Sequence, residues 1–357
     1  MNYSGIARND SEHEQALLLA ESSFSPSPGS KDTSTMRKAF LLREHPGYTN
    51  ESPIVVCSKD SGVVASAFLI KCSIHLHHRF LPGVFISSVS VAEKFRGEGV
   101  SRLLMRAAID AASARRFDIA IVIARRLVDG FYTRFGFWGL AQYSKITLKP
   151  ATLPMDAQSP RSVCLKPLDV DSFGACAALY ASNYAHLAGH CFRSPEMWTY
   201  ILGKLPYLGL KLDLVMVGDI VAGYAVHDGA GNFHEIATNI VAPICSSRSF
   251  LSAFPSEKDE LTLHIPPTHP FVTKLNGGDV SLTLRECSYG GHMVRVLNPD
   301  FPVCALSGLG NGIDAKNPPL SFVETARILG VARVTEFEET NATEMRGSFN
   351  IPILDQI

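Results

Sequence analysis

The residues best suited to chemistry lie in a short loop between an apolar strand and a helix. Residues 89–91 end the predicted strand, and residues 96–102, with Gly97 and Gly99, lead into the helix. Glycine has no Cβ, so the backbone can approach a ligand closely, and the first N–H groups of a helix have no partner within it. Those donors and the positive end of the helix dipole form an anion site. The loop predicts a phosphate-binding site, with a plain tight turn as the alternative.

A second motif with a candidate proton donor follows further along the chain. Tyr132 lies in the run FYTRFGF at residues 131–137, which has the form Tyr-x-x-x-Gly-Phe. The loop itself has the form Arg-x-x-Gly-x-Ser, from Arg96 to Ser101, and Ser101 stands where a Gly or Ala is usual. Together the two motifs resemble the Gcn5-related N-acetyltransferase (GNAT) superfamily, in which they occur in this order.

The resemblance implies acetyl-coenzyme A as cosubstrate and a role for each motif. Strand residues hold the pantetheine and thioester through their backbone, the loop N–H groups hold the pyrophosphate, and Tyr132 protonates the departing thiolate. A core aromatic is the alternative reading of Tyr132, because phenylalanines surround it. The expected cosubstrate-binding residues are Val89, Ser90, Val91, Arg96, Gly97, Gly99, Val100, Ser101 and Arg102.

The length of 357 residues predicts two or three domains. We interpret residues 1–150 as a catalytic GNAT domain, 151–161 as a linker, 162–278 as a degenerate second copy without a phosphate loop, and 279–357 as a short C-terminal region. This arrangement resembles the tandem group of the enhanced intracellular survival protein. The expected fold class is α/β (α+β), with tandem GNAT folds, each a mixed, mostly antiparallel sheet flanked by helices, and a short C-terminal α+β extension.

Local patterns predict the elements around the two motifs. The helix after the loop has an apolar face made by Val100, Leu103, Leu104, Ala107, Ala108 and Ala111. The apolar run at residues 119–123 predicts a central strand, and residues 138–148 predict one further strand of the same sheet. Pro82-Gly83 predicts a chain reversal, and Ser11 the N-cap of the first helix.

Composition excludes several other classes of protein. A formal charge of −1 gives no reason to expect nucleic acid or an anionic membrane as partner. Eight cysteines without a paired motif favour reduced thiols, and the N-terminus has no signal pattern, so we expect a cytoplasmic protein without membrane spans. His75 and His77 have a spacing compatible with zinc but no evident carboxylate or cysteine partner, so no metal is expected. A homo-oligomer remains open.

The sequence leaves the acceptor and the general base undetermined. We expect transfer to an amine of a small molecule or peptide, bound by the variable segments 22–50 and 72–83 and by the second domain. A non-catalytic acyl-coenzyme A sensor or scaffold, or transfer of a larger acyl group, are the alternatives. No Glu or Asp lies on the strand at residues 84–91. The resemblance offers the terminal carboxylate of Ile357 as base, and a water-mediated base is the other option.

Overall fold

The computed structural model contains two seven-stranded sheets with helices packed on them. It describes residues 3–24, 37–76, 79–124, 129–139, 142–154, 163–185, 187, 189–239, 245–256, 259–266, 268–275, 280–286, 291–298 and 325. None of the helices in these segments is long and apolar enough to span a membrane.

Eleven strands and α-helices of the described segments lie before residue 150. The strands are β1 (Tyr3–Ile6), β2 (Pro53–Ser58), β3 (Gly62–Leu76), β4 (Arg79–Val91), β5 (Ile119–Ala124), β6 (Trp138–Gly139) and β7 (Gln142–Leu148), and the helices are α1 (Asp10–Phe24), α2 (Arg37–Arg43), α3 (Val100–Ala114) and α4 (Asp129–Thr133).

Eleven more elements follow. The strands are β8 (Cys164–Pro167), β9 (Lys211–Val217), β10 (Ile220–His227), β11 (Asn232–Thr238), β12 (Leu261–Leu263), β13 (Val280–Glu286) and β14 (Gly291–Val296), and the helices are α5 (Phe173–Tyr184), α6 (Pro195–Leu208), α7 (Ser247–Ser252) and α8 (Pro270–Thr273).

The first sheet has the strand order β1-β2-β3-β4-β5-β14-β6. Its neighbours are antiparallel except for β4 and β5, which run parallel. The second sheet has the order β13-β7-β12-β11-β10-β9-β8, with β11 and β12 as its parallel pair. The expected fold class, two mixed and mostly antiparallel sheets with flanking helices, is confirmed.

The two sheets exchange strands. β7 lies between β13 and β12 in the second sheet, although the sequence predicted residues 138–148 as one strand of the first. That prediction is wrong because only Trp138–Gly139 pairs there, with Met293 and Val294 of β14. β14 comes from the predicted C-terminal region, so neither sheet is continuous in sequence. The domain boundaries given above, at residues 150, 161 and 278, stay a prediction.

Helix α3 packs on the first sheet beside the predicted loop. Its buried residues are Val100, Leu104, Met105, Ala108, Ile109 and Ala112. The predicted face included Leu103, which is 40% exposed, so the true apolar stripe is rotated toward Met105 and Ile109. The larger side chains of Met105 and Ile109 bury more apolar surface than the alanines of the predicted face.

Two smaller predictions are corrected. Pro82 and Gly83 lie inside β4, paired with Ser73 and Cys72 of β3, because the β3–β4 ladder continues without interruption to Leu76 and Arg79. The side chain that caps α1 is Asn9, whose Oδ1 accepts a hydrogen bond from the Glu12 N–H at 2.9 Å. It accepts this bond in place of Ser11, which lies within the helix.

The core of the second unit, the second sheet with α5 to α8, contains a buried ion pair. The Arg193 guanidinium donates two hydrogen bonds to the Glu235 carboxylate, at 2.7 and 2.8 Å, and both side chains are at most 1% exposed. The Tyr224 hydroxyl donates a third bond to Glu235 at 2.7 Å. The guanidinium also lies 3.8 Å from the Tyr180 ring centroid. These contacts satisfy the buried charges, which would otherwise be costly.

Candidate active site

A cleft opens in the first sheet where β4 and β5 stop pairing. The two strands pair over three residues, from Gly83 with Ile119 to Phe85 with Ile121. Beyond that point β4 continues to Val91 and β5 to Ala124, while β5 remains paired with β14 on its other edge. The divergence leaves backbone groups of β4 facing a space rather than a neighbouring strand. A ligand in that space can use them as hydrogen-bond partners.

A bulge in β4 lies at the edge of this cleft. Ser66 pairs with Ser90 but Phe68 pairs with Ser87, so β4 carries one extra residue there. Ser88 has φ of 53°, in the left-handed region that non-glycine residues rarely adopt. The conformation costs about 1–3 kcal/mol and is typical of functional sites, where it redirects backbone groups. The bulge therefore aims part of β4 toward the cleft.

The cleft is a cavity of about 420 Å³ that both strands and two helices line. Its β4 wall includes the predicted Val89, Ser90 and Val91, and Arg96 and Tyr132 also line it. The remaining lining residues are Ser23, Phe24, Phe85, Ile86, Ser87, Ser88, Ile121, Ile123 and Ala124. Apolar side chains alternate with small hydroxyls, which suits a flexible, partly polar chain.

Tyr132 reaches the cleft from α4 within an aromatic cluster. Its ring makes edge contacts with Phe131 and Phe137, at centroid distances of 5.1 and 6.3 Å. Burial raises the pKa of Tyr132 to about 12, so the hydroxyl keeps its proton at neutral pH. The side chain is thus a buried aromatic that also lines the cavity wall, and its role as a proton donor stays a prediction.

The glycine loop connects β4 to α3 in the expected way. Gly97 and Gly99 have φ of 86° and 79°, and a Cβ built at either residue meets nothing within 4 Å. The free space is therefore available to a ligand, and the left-handed backbone disfavours other residues. Gly99 is the N-cap of α3, and no side chain of the described residues caps the helix. An anion can accept hydrogen bonds from the N–H groups of Val100 and Ser101, whereas that of Arg102 donates to the Gly99 carbonyl at 3.0 Å.

A second cavity of about 450 Å³ adjoins the loop. The loop residues Gly97, Gly99, Ser101 and Arg102 line one side of it. The remaining lining residues are Arg106, Phe131, Arg134 and Phe135. The cavity combines free backbone donors with three guanidinium groups, a combination that suits phosphate.

The structure brings nearly all of the predicted residues to these two cavities. Val100 differs, because its side chain is 1% exposed and packs in the core, so that only its backbone faces the loop. Arg96 also has a local role, since its Nε donates to the Val91 carbonyl at 3.2 Å. These two cavities fit a phosphorylated acyl carrier such as coenzyme A, with an apolar cleft for its arm and a loop for its phosphates.

Sequence reasoning missed Ser87 and Ser88 on β4, Ser23 and Phe24 at the end of α1, and the arginines beyond Arg102. The two adjacent serines within an otherwise apolar strand were a usable signal for the bulge. No signal in the sequence pointed to Ser23 and Phe24, because their place in the cavity depends on how α1 packs on the sheet. His75 lies against His190, with ring centroids 4.5 Å apart, and His77 falls outside the described residues.

A family model described as "Acetyltransferase (GNAT) domain" matches residues 7–141. This segment contains β4, the glycine loop, α3 and Tyr132. No curated protein sequence gives a significant match to the chain.

Solved structures share the fold across both sheets. A GCN5-related N-acetyltransferase from Kribbella flavida is 16% identical, with 83% of this chain and 72% of that one covered, at a TM-score of 0.59. One from Anabaena variabilis is 14% identical, with 83% and 73% covered, at 0.60. Eis1 from Mycobacterium abscessus is 14% identical, with 85% and 75% covered, at 0.61. At these identities the likeness establishes the fold.

The family match covers the segment that carries both motifs, and the fold match extends over the tandem arrangement. The resemblance seen in the sequence is confirmed for the segment that carries both motifs. Residues 7–141 thus match the GNAT acetyltransferase domain family, and over the rest of the chain the likeness is one of fold.

Proposed function

We propose that the protein transfers the acetyl group of acetyl-coenzyme A to an amine of a small molecule or peptide. The observation that carries the proposal is the cleft between the diverging ends of β4 and β5. Tyr132 lines it together with the bulged strand, and the glycine loop opens beside it. A thioester bound between these groups meets backbone donors and a proton donor in one cavity.

Each wall of the cleft has a part in binding. The backbone of Val89, Ser90 and Val91 forms hydrogen bonds to the amide groups of the pantetheine, as a neighbouring strand would. The loop N–H groups from Gly97 to Arg102 hold the pyrophosphate, although that of Arg102 also donates to the Gly99 carbonyl at 3.0 Å, and the dipole of α3 adds to the attraction. Val100 contributes only its N–H, since its side chain is buried.

The chemical step is attack of a neutral amine nitrogen on the thioester carbon. The C–N bond forms, the C–S bond breaks, and the thiolate takes a proton from the Tyr132 hydroxyl. Because the pKa of Tyr132 is raised to about 12 by burial, the hydroxyl is protonated when the thiolate leaves. A backbone N–H near the Ser88 bulge is the donor we assign to the developing oxyanion.

The amine must lose a proton, and no carboxylate lines the cleft within the described part of the chain. We therefore assign this proton to water, with the terminal carboxylate of Ile357 as the other option. Ile357 lies outside the described residues. Extending the C-terminus by a few glycines separates the two, because a terminal carboxylate would be displaced and activity lost, whereas a water-mediated base leaves activity intact.

The test is thiol release from acetyl-coenzyme A by the purified full chain, screened against aminoglycosides, polyamines, amino sugars and peptide amines. Tyr132→Phe should keep coenzyme A affinity and lower turnover by about two to four orders of magnitude, the range for loss of a positioned acid. Tyr207→Phe, on α6 of the second unit, is the matched control and should leave turnover unchanged. A fall of less than about threefold in Tyr132→Phe would reduce Tyr132 to a packing residue.

Gly99→Asp tests the loop independently of turnover. A side chain and a negative charge would enter the open space beside the loop, at a residue whose φ of 79° already disfavours a Cβ. Calorimetry should show loss of coenzyme A binding in the folded variant. Binding without turnover on any amine in the wild-type protein would favour a sensor, and preference for a longer acyl thioester would favour a larger acyl group.

A further inference from the structure

Arg295, on β14, donates a hydrogen bond to the carbonyl of Phe135, at the end of the turn that carries Tyr132. We propose that Arg295 is a positioning residue for Tyr132, because this bond fixes the turn after α4 and thereby the place of the Tyr132 ring at the cleft. The inference rests on the proposed function, since it concerns the proton donor of that reaction. Arg295 lies outside both sequence motifs, and nothing in the sequence marked it as a site residue.

The segment that carries Tyr132 has little regular structure of its own. Helix α4 has five residues, and the strand β6 that follows it has two. Between them the chain bonds mainly to itself, since the N–H groups of Phe135 and Phe137 both donate to the Tyr132 carbonyl, at 2.9 and 3.3 Å. A helix of one turn is not stable alone in water. The place of Tyr132 therefore depends on contacts between this segment and the rest of the fold.

Strand β14 provides such contacts from one side of the sheet. β6 pairs with β14, and the Arg295 guanidinium reaches past that pairing to the Phe135 carbonyl. Met293 and Arg295 project from the same face of β14, because alternate residues of a strand do so. Met293 packs in the same apolar cluster as Tyr132 and Phe135. Arg295 thus approaches the turn from the side on which the Tyr132 ring is packed.

The contact has an energetic cost that packing alone does not explain. Arg295 is half-buried, and its Nε is buried without a hydrogen-bond partner in the part of the chain that the structure describes. Burial lowers the pKa of Arg295, and the charge of Asp110 on α3 opposes this effect. A buried guanidinium is unfavourable unless its donors are used, so an apolar side chain would fill this place at lower cost. What the guanidinium adds is a fixed carbonyl three residues after Tyr132.

Arg295→Met tests the role, because it keeps a long side chain and removes the donor. A displacement of ~1 Å at a reacting group can lower turnover by about a hundredfold. We expect kcat to fall about ten- to hundredfold, while KM for acetyl-coenzyme A changes less than about twofold. Arg115→Met is the matched control, because that guanidinium also donates to a backbone carbonyl, that of Glu51 at 2.6 Å, and does not line the cleft. It should leave kcat unchanged.

A double-mutant cycle separates positioning from a general structural role. In the Tyr132→Phe background, Arg295→Met should change kcat less than about twofold, since a positioning residue has no effect once the group that it positions is gone. A merely structural contact predicts that the two losses multiply. Losses that multiply would overturn the inference and leave the proposed function standing.

Fluorine NMR of the full chain labelled with 3-fluorotyrosine gives a readout that needs no turnover. The Tyr132 resonance is assigned by its loss in Tyr132→Phe, and it should shift or broaden in Arg295→Met but not in Arg115→Met. Arg295→Gln, whose side chain is too short to reach Phe135, replaces Arg295→Met if that variant does not fold. An unchanged resonance would overturn the inference. Absence of turnover on every amine would overturn the proposed function, and the resonance would still decide whether Arg295 positions Tyr132.

Discussion

Replacing Met293 with alanine should destabilise the candidate active site, although this residue lies far from the site in sequence. Met293 is on β14, is fully buried and belongs to the same apolar cluster as Val100, Leu104 and Tyr132. Truncating a buried methionine to alanine costs ~2–5 kcal/mol, from lost burial and the cavity left behind. Because β14 pairs with β5 along all six residues, the loss should fall on the strand that lines the cleft.

Hydrogen exchange measured by mass spectrometry gives the local readout. Loss of ~2 kcal/mol raises the exchange of amides in β5 by about thirtyfold when exchange follows the opening equilibrium. Met197→Ala, a buried methionine of the second unit, is the matched control and should act mainly on α5 and α6. If Met293→Ala left the exchange of β5 within about threefold of the wild-type rate, the strand exchange would be refuted.

Three further predictions concern other parts of the molecule. Burial, with a smaller contribution from Lys204, lowers the pKa of His45 to about 3. Between pH 6.5 and 3, His45 is therefore protonated in the unfolded chain and neutral in the folded protein. The free energy of unfolding should therefore decrease by roughly 2.5 kcal/mol as the pH falls from 7 to 4.5, and His45→Asn should flatten that slope in urea titrations. Glu235→Gln leaves the buried charge of Arg193 without its carboxylate and should cost ~3–5 kcal/mol, with partial recovery when Arg193→Met is added; a loss below about 1 kcal/mol would contradict the ion pair. Acyl-coenzyme A should bind at one site per chain, and two equivalent sites in a titration would show that the second unit has kept a functional loop.

The sequence was sufficient to predict the elements and motifs of the candidate site. Glycines at a strand-to-helix junction predicted the loop, and both have the left-handed φ that makes glycine necessary. The strand at residues 119–123, inferred from a continuous apolar run, is β5 and lies within the sheet. Local patterns carry this information because turns and buried strands depend on neighbouring residues.

The pairing of distant segments could not be predicted in the same way. The sequences of β7 and β14 fit a strand of either sheet. Nothing in the local sequence shows that β7 pairs in the second sheet and β14 in the first. The bulge at Ser88 depends on the register between β3 and β4, which involves residues outside the local window. Arg106 and Arg134 line one cavity although 28 residues separate them in the chain. In each case tertiary contacts determined the outcome.

The exchanged strand, β14, explains how β5 can have an unpaired edge at the cleft and still be held firmly in the sheet. A strand between two fully paired neighbours has no free edge to line a cavity, whereas a strand held by three residues alone would fray. β5 pairs with β14 on one edge over its full length and with β4 on the other over three residues only. Arg295 of β14 also donates a hydrogen bond to the carbonyl of Phe135, three residues after Tyr132. β14 therefore supports β5 and the segment that follows Tyr132, so that the shape of the cleft depends on a segment outside the glycine loop and the tyrosine motif.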